Sequence, residues 1–294
     1  MKCGFVSLIG RANVGKSTLL NSILECHLSI TSPISGTTRN VIQGVYNDDE
    51  SQIIFLDTPG IHRAINRLGR IINKKATSMF KDIDVILFVV DAYAGIGKGD
   101  RLIIDYLKAI DIPVILILNK IDKLTNEQIF ESINTYKDLY SFAEIVPVSA
   151  KENDNIERVI ELIKNYLPEG VKYFSDDNVT NLSKYFMISE YVREKLFKYL
   201  TQEIPHSITC LTNSFEEKEN IVNVGVDIIV DRDSLKKIVI GENGSLVKQV
   251  GIEARKDIEE LLGKQVYLEL YVKTIKNWRE KDSILKDLGL LENE

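Results

Sequence analysis

The sequence predicts an α/β domain, in which helices cover both faces of a mostly parallel sheet, followed by a smaller α+β domain. Over residues 1–167, apolar runs of strand length alternate with segments of helical periodicity, a pattern typical of parallel sheets covered by helices. After a polar stretch the order becomes helix, two strands, two helices and a strand. We therefore predict a first domain over residues 1–170, a linker over 171–183 and a second domain over 184–294.

Length and composition indicate a soluble protein of about two domains. The chain has 294 residues, of which 44% are hydrophobic and 27% charged, as is usual for globular proteins. No apolar run approaches the roughly 18 residues of a membrane span, and we expect no secretory signal. Cys3, Cys26 and Cys210 lack metal-ligand spacing, which favours the reduced cytoplasm. The net charge of −6 means that any RNA site must be a local basic patch.

A glycine-rich loop follows the first predicted strand, which covers residues 5–9. It reads Gly10-Arg-Ala-Asn-Val-Gly15-Lys16-Ser17 and leads into a predicted helix, the context of a phosphate-binding G-x-x-x-x-G-K-[ST] motif. The glycines allow backbone N–H groups to point at phosphate oxygens, and the positive end of the helix faces the same anion. We predict that Lys16 contacts the outer phosphates and that Ser17 binds Mg²⁺.

A second motif, Asp57-Thr58-Pro59-Gly60, follows the strand predicted over residues 53–57. Ligands of parallel sheets bind at the carboxyl ends of the strands, so this motif is expected beside the phosphate loop. There Asp57 can hold the shell of Mg²⁺, and the Gly60 N–H can reach a γ-phosphate.

Two motifs at later strand ends predict selection of guanine. In Asn119-Lys120-Ile121-Asp122, Asp122 can accept hydrogen bonds from the N1–H and 2-amino groups, a donor pair that adenine lacks. Lys120 can lie along the base, and Asn119 can bond either the neighbouring loops or the base O6. Ser149-Ala150-Lys151 can place a backbone N–H on O6. The four motifs together predict GTP as the ligand.

With these motifs, residues 1–167 resemble a translation-factor-class GTPase domain, and Gly36-Thr37-Thr38-Arg39 resembles its first switch. The resemblance implies that one switch threonine closes over Mg²⁺ when a γ-phosphate is present. We favour Thr38, with Thr37 as the alternative. Ile61 stands where Ras-like enzymes place a water-orienting glutamine, so hydrolysis is expected to be slow or to use another device. Asn13 accompanies a potassium ion in similar GTPases, and capping of the loop is the alternative.

These arguments predict three catalytic residues, Lys16, Thr38 and Gly60, and three ligands of Mg²⁺, Ser17, Thr38 and Asp57. The residues predicted to bind nucleotide are Gly10, Arg11, Ala12, Asn13, Val14, Gly15, Lys16, Ser17, Thr18, Asp57, Thr58, Pro59, Gly60, Ile61, Asn119, Lys120, Ile121, Asp122, Ser149, Ala150 and Lys151.

The second domain contains a G-x-x-G turn, Gly241-Glu242-Asn243-Gly244, between two predicted helices. It resembles the turn of a KH RNA-binding domain, which lets a nucleic-acid backbone approach closely beside a groove for a short single strand. The order of elements resembles the type II arrangement. Its predicted elements are a helix over 184–200, strands over 206–215 and 221–231, a helix over 245–262, a strand over 266–272 and a helix over 278–288.

Glu242 departs from the KH pattern, which usually has a basic residue in the middle of the turn. A hairpin of helices with a purely structural glycine turn is therefore the alternative. Basic residues partly offset the carboxylate, because residues 232–256 contain six basic and three acidic residues and residues 264–281 contain five and two. Tyr267, Tyr271 and Trp278 could stack on bases or pack in the core. The residues predicted to bind RNA are Gly241, Glu242, Asn243, Gly244, Lys248, Arg255, Lys256, Lys273 and Trp278.

A GTPase domain followed by a KH domain is a rare combination, and the chain resembles the Era family of bacterial GTPases over essentially its whole length. Arg193-Glu194-Lys195-Leu196 and the segment from Gly251 to Asp257 contribute to this resemblance. The resemblance implies GTP hydrolysis with Mg²⁺ and binding to the 3′ end of small-subunit ribosomal RNA. It further implies a role in assembly and maturation of the small (30S) subunit by a cytoplasmic monomer.

Two alternatives stay open. Ile61 favours a GTP-dependent binding switch with negligible turnover, which phosphate release with and without potassium would test. The acidic balance of residues 175–294, with 17 basic and 22 acidic residues, favours a GTPase at the surface of a membrane, peripheral on the cytoplasmic face of the inner membrane. RNA footprinting against liposome flotation separates this alternative from RNA binding.

Overall fold

A computed structural model describes residues 1–32, 34, 37–59, 68, 83–175, 179–201 and 204–291. Two predicted site residues, Gly60 and Ile61, and Gly36 of the switch segment lie outside the described residues. The chain divides into two compact units, and the division falls between Asn181 and Leu182.

The first unit contains a six-stranded sheet in the order β2-β3-β1-β4-β5-β6. All its neighbouring strands pair in parallel except β2 and β3, which are antiparallel. This confirms the predicted mostly parallel sheet. The elements are β1 (Lys2–Ile9), α1 (Lys16–Leu24), β2 (Ile42–Asn47), β3 (Ser51–Asp57), β4 (Val85–Asp91), α2 (Lys98–Leu107), β5 (Val114–Asn119), α3 (Asn126–Lys137), β6 (Glu144–Val148) and α4 (Ile156–Tyr166).

The central strands are buried on both faces, as the alternation of strands and helices predicts. On β4, Ile86 and Phe88 pack in a cluster with Ile103 and Leu107 of α2. The intervening Leu87 points to the opposite face and is also fully buried, because successive side chains of a strand alternate between faces. Because the five strands β1, β3, β4, β5 and β6 are parallel, their carboxyl ends lie at the same edge of the sheet. The predicted motifs begin at this edge.

Part of the predicted linker attaches to the sheet of the first unit. Gln52 Oε1 on β3 accepts a hydrogen bond of 2.7 Å from the Tyr173 N–H. Thr180 bridges to β2, and its hydroxyl donates to the Gln43 carbonyl at 2.6 Å. The first compact unit consequently extends to Asn181, past the boundary that the sequence predicts.

The second unit contains a three-stranded sheet in the order β7-β8-β9. Strands β7 and β8 are antiparallel, whereas β8 and β9 are parallel. The order of helices and strands is that of a type II KH domain. The elements are α5 (Lys184–Tyr199), β7 (Ile208–Glu217), β8 (Ile221–Val230), α6 (Asp233–Ile240), α7 (Ser245–Leu262), β9 (Gln265–Thr274) and α8 (Asp282–Asp287).

The predicted helix over residues 278–288 is interrupted. Trp278–Glu280 form a turn of 3₁₀ helix, and the extended backbone of Lys281, with φ −90° and ψ 116°, separates this turn from α8. The Trp278 side chain is completely buried, and its indole N–H donates to the Ser207 carbonyl at 2.9 Å. The prediction that Trp278 stacks on RNA bases is therefore wrong, because neither face of the ring is accessible.

Candidate functional site: a nucleotide pocket and a nucleic-acid groove

The phosphate loop joins β1 to α1, and α1 begins at Lys16. Lys16 is buried, and its ammonium donates to the carbonyl oxygens of Gly10 (3.1 Å) and Arg11 (2.9 Å). Gly15 has φ +99°, and a Cβ there would overlap the Asn119 side-chain amide. The loop thus already curls around the position of its lysine, with a glycine where no side chain fits.

Three side chains predicted to ligate Mg²⁺ meet beside this loop. The Ser17 hydroxyl donates to Asp57 Oδ2 at 2.6 Å and lies 3.1 Å from Thr38 Oγ1. The Thr37 hydroxyl instead donates to the Ile34 carbonyl at 2.6 Å within its own loop. This geometry favours Thr38 over Thr37 as the switch threonine.

Asp57 has the properties of a group that supports a cation. It is fully buried, and within the described part of the chain its Oδ1 has no hydrogen-bond partner. Burial raises the pKa of Asp57 from its ordinary value, with Lys16 and the hydroxyls of Ser17 and Ser29 opposing the shift. Burial likewise lowers the pKa of Lys16, and Asp57 opposes that shift. A buried oxygen without a donor, beside two hydroxyls, fits the oxygen ligands that Mg²⁺ prefers.

In the base-selecting motif, Asn119 is buried and links neighbouring loops, whereas Asp122 is exposed. Asn119 is 2% exposed, its Nδ2 donates to the Val14 carbonyl at 2.8 Å, and its Oδ1 accepts from the Ala150 N–H at 3.0 Å. Of the two predicted roles for Asn119, the structure shows bonds to neighbouring loops. One of these bonds uses the Ala150 N–H, which belongs to the segment Ser149-Ala150-Lys151 predicted to place a backbone N–H on the base O6. Asp122 is exposed and accepts from the Ser149 hydroxyl at 2.7 Å, which orients its carboxylate.

Lys120 connects the base end of the pocket to the phosphate loop. Its ammonium contacts Asp91 Oδ2 at 2.6 Å and donates to the Asn13 carbonyl at 2.7 Å. Asn13 itself adopts the left-handed conformation, with φ +64°. The sequence analysis missed Asp91, although its place at the carboxyl end of β4 is the signal that identified the other motifs.

Ser29 is a second residue that the sequence analysis missed. It is fully buried, and its hydroxyl donates to Asp57 Oδ2 at 3.1 Å. Asn21 of α1 holds this segment, because its Oδ1 accepts from the Ser29 N–H at 2.8 Å. No motif marks a lone serine between α1 and β2, so only the folded chain reveals it.

The remaining predicted nucleotide residues separate into those that line the phosphate pocket and those that support it. The pocket is lined by Ala12, Asn13, Gly15, Lys16, Ser17, Thr18, Ile30, Thr31, Ser32, Thr37 and Thr38. Thr58 is buried and donates to the Leu8 carbonyl at 2.7 Å, which braces the end of β1. Pro59 follows it. Ile121 begins a 3₁₀ turn after β5, and the exposed Lys151 pairs with Glu152 at 2.6 Å.

The glycine turn of the second unit lies between α6 and α7. Gly241 has φ +76°, and a Cβ there would lie 2.8 Å from Leu246 Cβ, whereas a Cβ on Gly244, at φ +77°, would meet nothing within 4 Å. Packing therefore excludes a side chain at Gly241, whereas the space beside Gly244 is open. Glu242 and Asn243 between them are exposed.

A groove runs between α7 and the edge strand β9. Its lining is Val247, Lys248, Gly251, Ile252, Arg255, Val266, Tyr267, Leu268 and Leu270. Ile252, on the α7 side of the groove, is 41% exposed. An apolar floor with two basic residues on its rim suits a short single strand, whose bases need stacking and whose phosphates need positive charge.

Two of the predicted RNA residues lie away from this groove. Lys273 alternates with the groove-facing Leu268 and Leu270 along β9, so it faces the other side of the sheet, where it pairs with Asp227 at 2.6 Å. Lys256 is exposed on α7 and is not part of the lining. The structure therefore places Lys248 and Arg255 on the groove and leaves Lys256 and Lys273 outside it.

Family models match both units of the chain. The model described as a 50S ribosome-binding GTPase matches residues 5–120, and the model described as a KH domain matches residues 203–279. GTPase Era from Thermoanaerobacter sp. (strain X514) is 44% identical over 290 residues, which cover 98% of this chain and 96% of that protein. The chain belongs to the Era family of GTPases.

Solved structures of Era share the whole fold. A variant of Aquifex aeolicus Era bound to GDP·AlF4⁻ is 39% identical and superposes with a TM-score of 0.95, covering 99% of both chains. Era in complex with MgGDPNP and nucleotides 1506–1542 of 16S ribosomal RNA has the same identity, TM-score and coverage. Among the described helices of the present chain, none combines the length and the apolar character that crossing a membrane requires.

Proposed function

We propose that this Era-family GTPase hydrolyses GTP to GDP and phosphate, binds the 3′ end of small-subunit ribosomal RNA through its KH unit, and acts as a cytoplasmic monomer in assembly and maturation of the 30S subunit. The observation that carries the proposal is the meeting of Ser17, Thr38 and Asp57 beside the buried Lys16, on a chain that also has an open glycine turn and groove. The complex of a related Era with MgGDPNP and 16S ribosomal RNA supports the same assignment.

The phosphate end of the site is built to stabilise charge on the transferred phosphoryl group. Lys16 and the backbone N–H groups of the loop provide fixed donors in a buried setting, where electrostatic stabilisation is strongest. Ser17, Thr38 and Asp57 are the proposed residues that hold Mg²⁺, and this ion, when bound, neutralises charge on the phosphate oxygens. Water is the attacking group, so the chain needs no nucleophilic side chain.

The base end of the site is proposed to select guanine through Asp122. Its carboxylate is exposed and oriented by Ser149, as an acceptor for two N–H groups of the base must be. The Lys120 ammonium is held by Asp91 and the Asn13 carbonyl, and its stem is proposed to lie along the base. The buried Asn119 side chain bonds both the phosphate loop, at Val14, and the loop that contains Ala150.

We further propose that Asn13 provides part of a potassium site. Asn13 has a left-handed backbone conformation and lines the phosphate pocket. Its side-chain amide oxygen can ligate a monovalent cation there. A cation there would supply positive charge that other GTPases obtain from an arginine. Capping of the loop by the same side chain is the competing role.

In the KH unit, the Gly241–Gly244 turn and the groove between α7 and β9 are proposed to hold single-stranded RNA. Lys248 and Arg255 would contact phosphates, and the apolar floor with Ile252 would receive bases. The carboxylate of Glu242 weakens this grip, because it stands beside a phosphate that carries the same sign of charge.

A strand pairing supplies a route by which the nucleotide state could reach the KH unit. The Val45 N–H of β2 donates to the Val179 carbonyl at 2.8 Å, and Thr180 bonds Gln43. β2 begins four residues after Thr38, and α5 of the KH unit begins at Lys184. If the switch threonine shifts toward a γ-phosphate, it would pull on β2. Because Val179 and Thr180 are bonded to β2, the pull would reach the segment that leads into α5.

Separate variants of the two units test this function. Lys16→Ala should lose GTP binding or turnover by about ten- to hundred-fold, the value of one charge-assisted phosphate contact, and keep the RNA binding that the wild type shows without nucleotide. Gly244→Asp should keep GTP hydrolysis and lose RNA binding, because the new side chain projects into the space that the strand needs. Gly263→Asp is a matched control, since Gly263 also has positive φ and open space but lies outside the groove.

Wild-type RNA binding in Gly244→Asp, or wild-type GTP binding and hydrolysis in Lys16→Ala, would contradict the assignment of the respective unit. Flotation with liposomes of inner-membrane composition, performed on the same samples, tests the peripheral membrane alternative. Light scattering tests the proposed monomer.

A further inference from the structure

The first variable residue of the phosphate loop, Arg11, is anchored outside the loop. Its Nε lies 2.9 Å from Asp100 Oδ2, and its Nη2 donates to the Gly95 carbonyl at 3.1 Å. Asp100 is completely buried in the first turn of α2, and its Oδ2 also accepts from the Gly97 N–H at 2.8 Å. Burial of the Asp100 carboxylate costs desolvation free energy, which the Arg11 guanidinium and the Gly97 N–H offset in part.

The start of α2 is shaped around the arginine side chain. A Cβ on Gly97 would lie 2.5 Å from Arg11 Nη1, and a Cβ on Gly99 would lie 2.9 Å from Arg11 Cγ. The two glycines leave room for the stem of the arginine to lie against the backbone. The position of Arg11 is therefore specified by packing as well as by charge.

The anchor acts on both ends of the nucleotide pocket. The Arg11 carbonyl is one of the two acceptors that hold the Lys16 ammonium, at 2.9 Å. On the other side, the Gly95 N–H donates to the Asp91 carbonyl at 3.2 Å, and the Asp91 carboxylate holds Lys120. Arg11 thus connects the lysine of the phosphate loop to the lysine of the base-selecting motif.

We propose that Arg11, held by Asp100 and the Gly95 carbonyl, is a positioning residue that fixes the first half of the phosphate loop in its nucleotide-binding shape. The proposal rests on nucleotide binding at this loop. The loop surrounds phosphates that GDP and GTP share, so loss of the anchor weakens both nucleotides by the same factor. The Arg11 carbonyl also holds Lys16, so the affinity for GDP, which does not react, isolates the effect of the anchor on the shape of the loop.

The competing role for the ion pair is stabilisation of α2 alone, and a pair of variants separates the two roles. Arg11→Met keeps the stem of the side chain and removes its donors, which leaves the Asp100 charge buried without its partner and lowers stability. Arg11→Met combined with Asp100→Asn removes that charge while the amide oxygen can still accept from the Gly97 N–H. The double variant therefore regains stability without regaining the anchor. Asp105→Asn, at an exposed ion pair on the same helix, is the control.

The experiment measures the affinity for fluorescent GDP and for a non-hydrolysable GTP analogue, the single-turnover hydrolysis rate at saturating GTP, and the thermal midpoint of the nucleotide-free protein. We expect a loss of about tenfold in both affinities for the single and the double variant, the size of one charge-assisted contact. The thermal midpoint should fall in Arg11→Met and recover in the double variant.

Recovery of affinity together with stability in the double variant would overturn the proposal and leave Arg11 and Asp100 a structural pair. Wild-type affinity in Arg11→Met, or slower hydrolysis with intact affinity, would overturn it as well. If Arg11→Met does not fold, the double variant carries the test. Failure of the wild-type protein to bind either nucleotide would instead contradict the proposed function, so the two failures are distinguishable.

Discussion

Replacing Asn119 by alanine should destabilise the nucleotide-free protein, although the residue belongs to a base-binding motif. The side-chain amide makes three hydrogen bonds in a buried place, to the Val14 carbonyl (2.8 Å), the Lys120 N–H (2.8 Å) and the Ala150 N–H (3.0 Å). Alanine leaves these groups without their partner. Each buried group left unsatisfied costs about 1–3 kcal/mol, so we expect a loss of about 3 kcal/mol in the free energy of unfolding.

Urea unfolding without nucleotide measures this loss. With a denaturant slope of about 3 kcal/mol per molar urea, at the upper end for small proteins, the midpoint followed by far-UV circular dichroism should fall by about 1 M. The single tryptophan of the chain, Trp278, lies in the second unit, so its fluorescence reports that unit separately. Asp122→Asn is the matched control, because the exposed amide oxygen can still accept from Ser149 and stability should stay at the wild-type value.

A variant Asn119→Ala with wild-type stability but weaker GTP binding would refute this reasoning. The amide would then act on the base O6, the other role that the sequence allows. Weaker GTP binding together with lower stability is the result that a brace between two loops predicts.

Three further outcomes are expected. Asp122→Asn should weaken GTP and favour xanthosine triphosphate, because the O2 of xanthine suits an amide donor; competition binding checks this, and unchanged GTP selectivity would remove Asp122 from base recognition. Steady-state phosphate release should be faster in potassium than in sodium, and Asn13→Ala should abolish the difference; equal rates in the two salts would exclude potassium from the reaction. Glu242→Lys should tighten binding to single-stranded RNA and steepen its salt dependence by about one phosphate contact. Unchanged affinity and slope in titrations at several salt concentrations would mean that the turn does not face RNA.

The strand ends were predictable because each is a buried apolar run followed by a short polar motif. The residues that brace these motifs were not, because they carry no local signal. Asp100 and Ser29 become visible only when the fold brings them to Arg11 and Asp57. The sequence pattern does not reveal β2, because it is a short antiparallel edge strand of mixed polar and apolar residues, IQGVYN.

The second unit shows the same limit. The bounds of α7, Ser245–Leu262, agree with the predicted helix, since a glycine precedes it and another ends it. Composition could not distinguish a tryptophan that stacks on RNA from one that fills the core, and burial decides that question for Trp278. Charge counts likewise placed Lys273 in the RNA site, whereas strand alternation turns it to the opposite face.

Crosslinking of the GTP-bound protein to the small-subunit ribosomal RNA, with mapping of both the nucleotides and the crosslinked residues, tests most directly whether the two units act as one GTP-dependent RNA-binding protein. We expect crosslinks between the 3′ end of the RNA and the groove around Lys248 and Arg255, and a lower yield with GDP. Crosslinks that map to other RNA segments, or an equal yield with GDP, with GTP and in Gly244→Asp, would contradict the account.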